Sequence, residues 1–319
     1  MITFIVSSGH KFTHDKLKNN RGGPRISVLS YQELFPRRSL RKGTYVFTDF
    51  DRLNFWELQL AATVYRLVSD AGWRPLNDPA KVRQRYAVLR QLHRAGINRF
   101  GVYRVEAGEM PESYPVFLRN ECAHKGPLSE LLYDREALLR ETDRLVQAGH
   151  PERHLLVVEY AAEPLQGIYR KYANFRIADR VFPTVCVHDQ HWRVTQGKEG
   201  AAGQALYEEE NSVIKENRHQ DVLRQAFELA RIDYGRADFG IVGGKVQVYE
   251  INTNPTIRRG KLHPFPIRVA SQALAWQYYL QALALIDWAE GPDRIKLSTP
   301  ELRRRQRWWD SQDQIMKTA

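Results

Sequence analysis

Cysteine is scarce in this sequence, with Cys122 and Cys186 the only two in 319 residues. No paired metal spacing involves them, so a disulfide framework and a cysteine zinc site are both excluded, and a reduced, cytoplasmic chain is expected. Long apolar runs are missing too: none approaches the ~20 residues of a bilayer span, and no membrane partner is expected. The opening Met1 to Val6 is too short for a signal-peptide core and has no basic segment before it, so it reads as a first strand. Neither an internal repeat nor a low-complexity segment occurs, which excludes solenoids. No Ser-His-Asp or Cys-His arrangement points to a side-chain nucleophile.

What is present is ordinary globular material: 43% apolar and 27% charged residues in a chain long enough for one large domain or two to three small ones. The net charge of +11 is the outlying value, and it points to polyanions. Most basic residues are scattered singly, with short runs such as Arg37-Arg38, Arg41-Lys42 and Arg303-Arg304-Arg305 among the exceptions. Nucleic-acid proteins more often cluster them on one helix or stripe. A nucleotide with an anionic substrate explains the charge equally well, and charge alone does not choose.

Periodicity predicts strands and helices in alternation. Tyr45 to Thr48 reads as a strand ending at Asp49 and Asp51, and Phe55 to Ala71 as a helix. Asn77 or Asp78 with Pro79 reads as the start of a helix over Ala80 to Arg94, closed by Gly96. Strands are predicted over Phe100 to Val105, Tyr114 to Arg119, His154 to Tyr160, Tyr172 to Val187 and Trp192 to Val194. Helices are predicted within Pro127 to Ala148, over Asn211 to Ala230 and over Ile267 to Trp288. Strands grouped as hairpins and meanders, with helices between, argue for α+β subdomains around a cleft.

One hairpin concentrates oxygen donors. In "RADFGIVGGKVQVYEINTNP", residues 236 to 255, a turn at Gly243-Gly244 joins two apolar runs, with Asp238 before it and Glu250, Asn252 and Asn254 after it. Glu250 and Asn252 are two apart and share a strand face. Two carboxylates and a carboxamide make a hard, all-oxygen set suited to Mg²⁺, and Arg236 shares the face of Asp238. A strict two-residue turn, however, pairs Asp238 with Tyr249 and sends Glu250 to the opposite face. A metal site therefore requires an odd loop or a bulge that shifts the register by one. A plain hairpin with solvated acids at its open end is the other reading that the spacing leaves open.

Arg236-Ala237-Asp238-Phe239 followed by Glu250-Ile251-Asn252-Thr253-Asn254-Pro255 resembles the C-terminal signature of the ATP-grasp superfamily, which includes D-alanine–D-alanine ligase, glutathione synthetase and the ribosomal-protein glutamate ligases. The resemblance implies an ATP-grasp fold of three subdomains with ATP in the cleft between the second and third. It implies Asp238, Glu250 and Asn252 as ligands of Mg²⁺ (Mn²⁺ being an alternative), and Arg236 as the contact to the phosphoryl group in flight. "RYAVLRQLHRAGI" and "YPVFLRNE" match the family's phosphate-binding segments, with Arg85 and Arg119 where relatives carry basic residues. His124 and Lys125 are candidates in the loop that covers the phosphates. "LLVVEYAA" matches the hinge strand, with Glu159, Tyr160 and Ala161 as the adenine edge and Glu163 a candidate for the ribose. "YRKYANFRIADRVFP" matches the following strand pair, so that Lys171 and Arg176 face nucleotide or substrate.

The implied activity is ligation: ATP activates a carboxylate as an acylphosphate, which an amine converts to an amide. The substrates implied are a small-molecule or peptide carboxylate and an amine acceptor, with an acidic partner suggested by the surplus charge. A kinase on the same fold and a basic nucleic-acid-binding protein are the rival readings, the latter disfavoured by the intact ligand set. The expected divisions are an N-terminal α/β subdomain over 1–80, a lid over 81–157, a catalytic subdomain over 158–298, and an amphipathic helix over 299–319. That helix, with Leu302, Gln306, Trp309 and Ile315 on one side, is expected to dock on the body or on a second copy in a homodimer. The plainest readings elsewhere are solvated histidines at 188 and 191, and an acidic helix start at Glu208-Glu209-Glu210.

Overall fold

Strands that are apolar at every position, rather than at alternate ones, open the chain. The computed structural model describes residues 1–18, 23–122, 126–195, 197–198, 200–258, 260 and 262–308. Its first strands are β1 (Ile2–Val6), β2 (Ile26–Ser30), β3 (Ser39–Arg41), β4 (Thr44–Phe47) and β5 (Arg74–Leu76). Every residue of β1 and β4 is buried, the pattern of parallel strands covered on both faces. They lie in a parallel sheet of order β2–β1–β4–β5. One-turn helices α1 (Asp15–Lys18) and α2 (Tyr31–Leu34) and the long α3 (Phe55–Asp70) accompany it. A capping box starts α3: the Asn54 side chain accepts from the Glu57 N–H, and the Glu57 carboxylate accepts from the Asn54 N–H.

The second sheet is antiparallel, of order β6–β8–β7, where β6 is Val102–Arg104, β7 is Val116–Asn120 and β8 is Leu155–Glu159. Helices α4 (Arg85–Arg94) and α5 (Arg135–Gln147) belong to this part of the chain. The helix expected from Ala80 begins only at Arg85. Asn77 instead adopts a left-handed φ of 62° and spends its carboxamide on four backbone groups, donating to Phe47 and Tyr234 and accepting from Asp233 and Tyr234. Asp78 closes a turn, its carbonyl accepting from Lys81 and Val82.

In the third sheet β9 (Tyr169–Ile177), β10 (Arg180–Pro183) and β11 (Val187–Asp189) precede the hairpin β12 (Tyr234–Val242) and β13 (Lys245–Asn252). The order is β10–β9–β12–β13, with β11 also paired to β9. The helix expected over Asn211 to Ala230 is two, α6 (Gln204–Glu216) and α7 (Gln220–Ala230), because Asn217 turns left-handed and its side chain donates to the Val181 carbonyl. The last long helix is α8 (Pro266–Ala284). Trp192 to Val194 forms no strand. Nor is the acidic triplet a solvated helix start: Glu210 is buried within α6 against Arg268, and Glu209 accepts from Arg170 and Tyr172.

Packing ties the first and third sheets together. Ile2, Phe4 and Val46 share one core with Phe175, Ile177 and Tyr234 of the third sheet and with Tyr279 and Leu283 of α8. The opposite face of the third sheet packs Phe239 and Val248 against Leu89 of α4 and Phe227 of α7. One face of the second sheet packs on α5 through Val116, Leu118, Leu138 and Leu145, while Val102, Leu156 and Val158 on its other face join the core of the third sheet.

Two histidines are sealed in this framework. His14 stacks on Phe4 with ring centroids 4.0 Å apart, and burial, reinforced by Lys18, pushes its pKa down to about 3. His188, read from sequence as solvated, is buried beside Tyr207, and burial with Arg268 nearby lowers it to about 4. His191 is exposed as expected. Both depressed groups stay neutral in the fold but protonate in the unfolded chain below about pH 6.5. The unfolded state therefore takes up protons first, and stability declines as the pH falls from about 6.5 towards 4. Thermal melting across that range is expected to show a falling midpoint, with a shallower fall in His188→Gln. An unchanged slope in that variant assigns the acid sensitivity elsewhere.

The C-terminal helix, described over 300–308, docks on its own chain. Leu302 is fully buried with Leu297 in the core of the first subdomain, and the Gln306 side chain donates to the carbonyls of Arg37 and Leu297. Trp308 stays half-exposed under the Arg305 guanidinium, while Trp309 and Ile315 lie outside the described residues. Leu302→Ala is expected to cost ~2–5 kcal/mol, as other buried leucine truncations do. Its melting midpoint should fall with no change of mass in solution; an unchanged midpoint would detach this helix from the body.

Candidate active site

The hairpin turns on Gly243 and Gly244, with φ of 54° and 74°, so Val242 pairs with Lys245 across a two-residue loop. Continued strictly, that register separates the two carboxylates. Between Phe239 and Asp238 it shifts: Phe239 faces Val248, but Asp238 faces Glu250, leaving Tyr249 as the extra residue of a β-bulge. The bulge sends the Tyr249 hydroxyl to the Ala161 carbonyl at 2.9 Å, and a Cβ at Gly240 would collide with that phenol. It returns Glu250 to the face of Asp238. Arg236 faces Asn252 on the same side, and Ala173, opposite Asp238 on β9, brings Lys171 to it as well.

Basic side chains converge on this face from four elements, α4, β7, β9 and β12. Arg236 holds Asp238 through both carboxylate oxygens, Nε to Oδ1 at 2.6 Å and Nη2 to Oδ2 at 3.0 Å. Lys171 Nζ lies 3.8 Å from Asp238 Oδ2. Arg85, at the start of α4, donates to Glu250 Oε2 at 2.7 Å and to the carbonyls of Asn120 and Glu121. Arg119, on β7, reaches the same Glu250 oxygen at 3.2 Å. Burial, and then the neighbouring Arg85, lowers the Arg119 pKa to about 10, so it remains cationic at neutral pH. Burial opposes the charge on Arg236, but Asp238 and Glu250 outweigh it and raise the pKa. The buried Nε of Arg119 has no hydrogen-bond partner among the described residues.

The four cations Arg85, Arg119, Lys171 and Arg236 thus surround two carboxylates, a net surplus of positive charge in a partly buried cleft. Such a surplus draws anions.

The other residues expected to bind nucleotide or substrate are not part of this charged cluster. Arg176 is on the opposite face of β9 from Lys171, its Nε donating to the Ala178 carbonyl and Nη2 3.7 Å from Asp233. The Glu159 carboxylate turns inward, accepting from the Gly101, Glu112 and Ser113 N–H groups and from the Tyr103 hydroxyl. The N–H of Tyr160 is committed to the Pro115 carbonyl, and the Ala161 carbonyl accepts from Tyr249. Glu163 accepts from the Gly243 N–H and braces the hairpin turn. His124 and Lys125 lie outside the described residues. Sequence reasoning missed Asp49, a buried carboxylate at the end of β4 that joins the first subdomain to Asn254. Its place just past a parallel strand, where α/β sheets bind ligands, was the available signal.

No family model and no curated protein matches the sequence. Solved structures do. D-alanine–D-alanine ligase from Bacillus anthracis, complexed with ATP, aligns with a TM-score of 0.52 at 13% identity, covering 89% of this chain and 95% of that one. D-alanine–D-alanine ligase from Coxiella burnetii gives 0.52 at 11% identity, covering 100% and 99%. VanG D-Ala:D-Ser ligase from Enterococcus faecalis gives 0.50 at 11%, covering 89% and 98%. Likeness at such identity shows architecture alone, and with the three-sheet arrangement and the signature hairpin it establishes that this chain has the ATP-grasp fold.

Proposed function

We propose that the protein is an ATP-dependent carboxylate–amine ligase. The observation that carries this reading is the register shift that sets Asp238 opposite Glu250 within a ring of four cations. The solved structures it is most usefully compared with are ligases by name, and one holds ATP. Among the described residues no group of three or more His, Cys, Asp or Glu is arranged to hold a metal. The donor set is hard and all-oxygen, which suits Mg²⁺: Asp238, Glu250 and the Asn252 carboxamide would hold it, with water and phosphate oxygens completing the shell. Bound Mg²⁺ would neutralise charge on the phosphates.

The chain's own contribution is positioning and charge. In the ligand-free protein the carboxylates and cations satisfy one another. A magnesium–triphosphate offers both sets new partners, the metal for the carboxylates and the phosphates for Arg85, Arg119 and Lys171. The exchange leaves neither set buried and uncompensated. Arg236, permanently charged and tethered beside Asp238, is the group for the phosphoryl in transfer. A substrate carboxylate oxygen attacks the γ-phosphorus and ADP leaves; the amine nitrogen then attacks the acyl carbon, expels phosphate and loses its proton. No side-chain nucleophile is required. Trapping a stoichiometric acylphosphate with hydroxylamine tests this reaction, since a kinase acting on an alcohol forms none.

Glu250→Gln is expected to reduce substrate-dependent ADP release to background. Because Glu250 partners two buried arginines, the variant's melting midpoint should also fall, by about 1–3 kcal/mol of stability, less than a fully buried pair would lose. Normal turnover would remove Glu250 from the site.

Arg119→Ala is expected to weaken ATP by ~1.5–3 kcal/mol, the scale of a charge-assisted hydrogen bond, while Arg119→Lys retains much of the affinity. Calorimetric titration showing equal affinity for wild type and the alanine variant would take Arg119 out of the nucleotide site.

A further inference from the structure

Asp49 stands immediately beyond β4 with a left-handed backbone, φ 57° and ψ 32°, and is buried. Its Oδ2 accepts three hydrogen bonds, each 2.8 Å long, from Ser7 N–H, from Ser7 Oγ and from Asn254 Nδ2. Its own N–H donates to Thr253 Oγ1 at 3.2 Å. Asp49 of the first subdomain therefore holds two successive residues just past the proposed ligand strand, Asn254 by its side chain and Thr253 by its backbone N–H. Asn254 in turn donates its backbone N–H to Asn252 Oδ1 at 2.8 Å.

The donor and acceptor roles along this contact are forced. A carboxylate only accepts, so the Asn254 atom facing Asp49 is the NH₂ and the atom facing Thr13, at 2.8 Å, is the oxygen. Thr13 must then donate, and its one proton lies between that oxygen and the His10 carbonyl at 2.7 Å. The Thr13 oxygen accepts from His14 Nδ1 at 2.9 Å, a ring that burial keeps neutral. His14 Nε2 is left as an acceptor for the Tyr234 hydroxyl at 3.4 Å, and Tyr234 for that of Tyr279 at 2.8 Å. The chain runs in one direction, from the core shared by the first and third sheets out to Asp49. A second backbone bond, Ile257 N–H to the Thr13 carbonyl at 2.9 Å, fixes the segment beyond.

We propose that Asp49 and Thr13 are positioning residues which, by clamping Asn254, fix the Asn252 carboxamide as a ligand and so tie metal binding to the first subdomain. The inference rests on the metal reading above. Asn252 is the last residue of β13, opposite Arg236, and rotation of its carboxamide would otherwise swap oxygen for NH₂. The Asn254 N–H occupies one acceptor site of Asn252 Oδ1 and leaves a second for a cation. Outer-shell partners of this kind set affinity by orienting ligands, without touching the ion.

Mn²⁺ titrated into the full chain with a non-hydrolysable ATP analogue, read by electron paramagnetic resonance, tests this without turnover. Asn254→Ala and Thr13→Val are expected to weaken Mn²⁺ by ~10-fold or more, the scale of lost outer-shell contacts, and Thr13→Ser to restore it. Thr13→Val carries the test should Asn254→Ala not fold. Wild-type Mn²⁺ affinity in Asn254→Ala or Thr13→Val, even with a lowered melting midpoint, would reduce the clamp to a structural contact and overturn the proposal. A wild-type protein that holds no Mn²⁺ with the analogue would instead overturn the metal reading, and this inference with it.

Discussion

A single extra residue in one strand decides what the cleft contains. With Tyr249 in register, Glu250 would lie on the face packed by α4 and α7, a charge among Leu89, Phe227 and Phe239. Burying an unpaired carboxylate there would cost several kcal/mol or more. The bulge removes that conflict and at the same time brings Glu250 opposite Asp238. It also spends the extra residue, since Tyr249 reaches the hinge at Ala161 through a space that only a glycine at 240 leaves open. Strand register, hinge contact and carboxylate pair are consequences of one irregularity.

The strong positive balance of the chain takes on local meaning at this pair. Exposed cations contribute little wherever they sit. Arg85 and Arg119 are different, because both guanidinium groups are nearly buried and share one carboxylate oxygen. Two cations on one acceptor is a poor final arrangement: burial first, and then Arg85, lowers the Arg119 pKa. It is a reasonable waiting arrangement for a multiply charged anion. The charge distribution therefore argues for a nucleotide more directly than the net charge does, and it gives the scattered basic residues a use that needs no nucleic acid.

Much of this was legible in the sequence, and the failures share a cause. Hydrophobic period located two of the four parallel strands and the longer helices, and the oxygen-rich hairpin marked the candidate site. The bulge was recognisable only as a requirement, because the same residues form a regular hairpin equally well. Arg176 went astray because a residue type in a matching position says nothing of its side chain's direction, and it falls on the wrong side of a two-residue alternation. Asn77, Asn217 and Asp49 share a further property: each adopts a left-handed backbone so that its polar side chain meets distant groups. Local propensity cannot report a partner more than a hundred residues away, as at Asn77 and Asp49.

Those distant partners also define how the parts are joined. The first and third sheets share an apolar core, and the polar chain from Tyr279 to Asp49 runs along the same joint. The second sheet shares Val102, Leu156 and Val158 with the core of the third, and Arg85 and Arg119 reach the carboxylate pair from that side. Exchange of partners at Glu250 would release these arginine contacts, while leaving the first-to-third joint intact. A cleft built in this way has apolar cores on both sides of the proposed ligands, so a change of partner at Glu250 alters charge contacts without unpacking either wall.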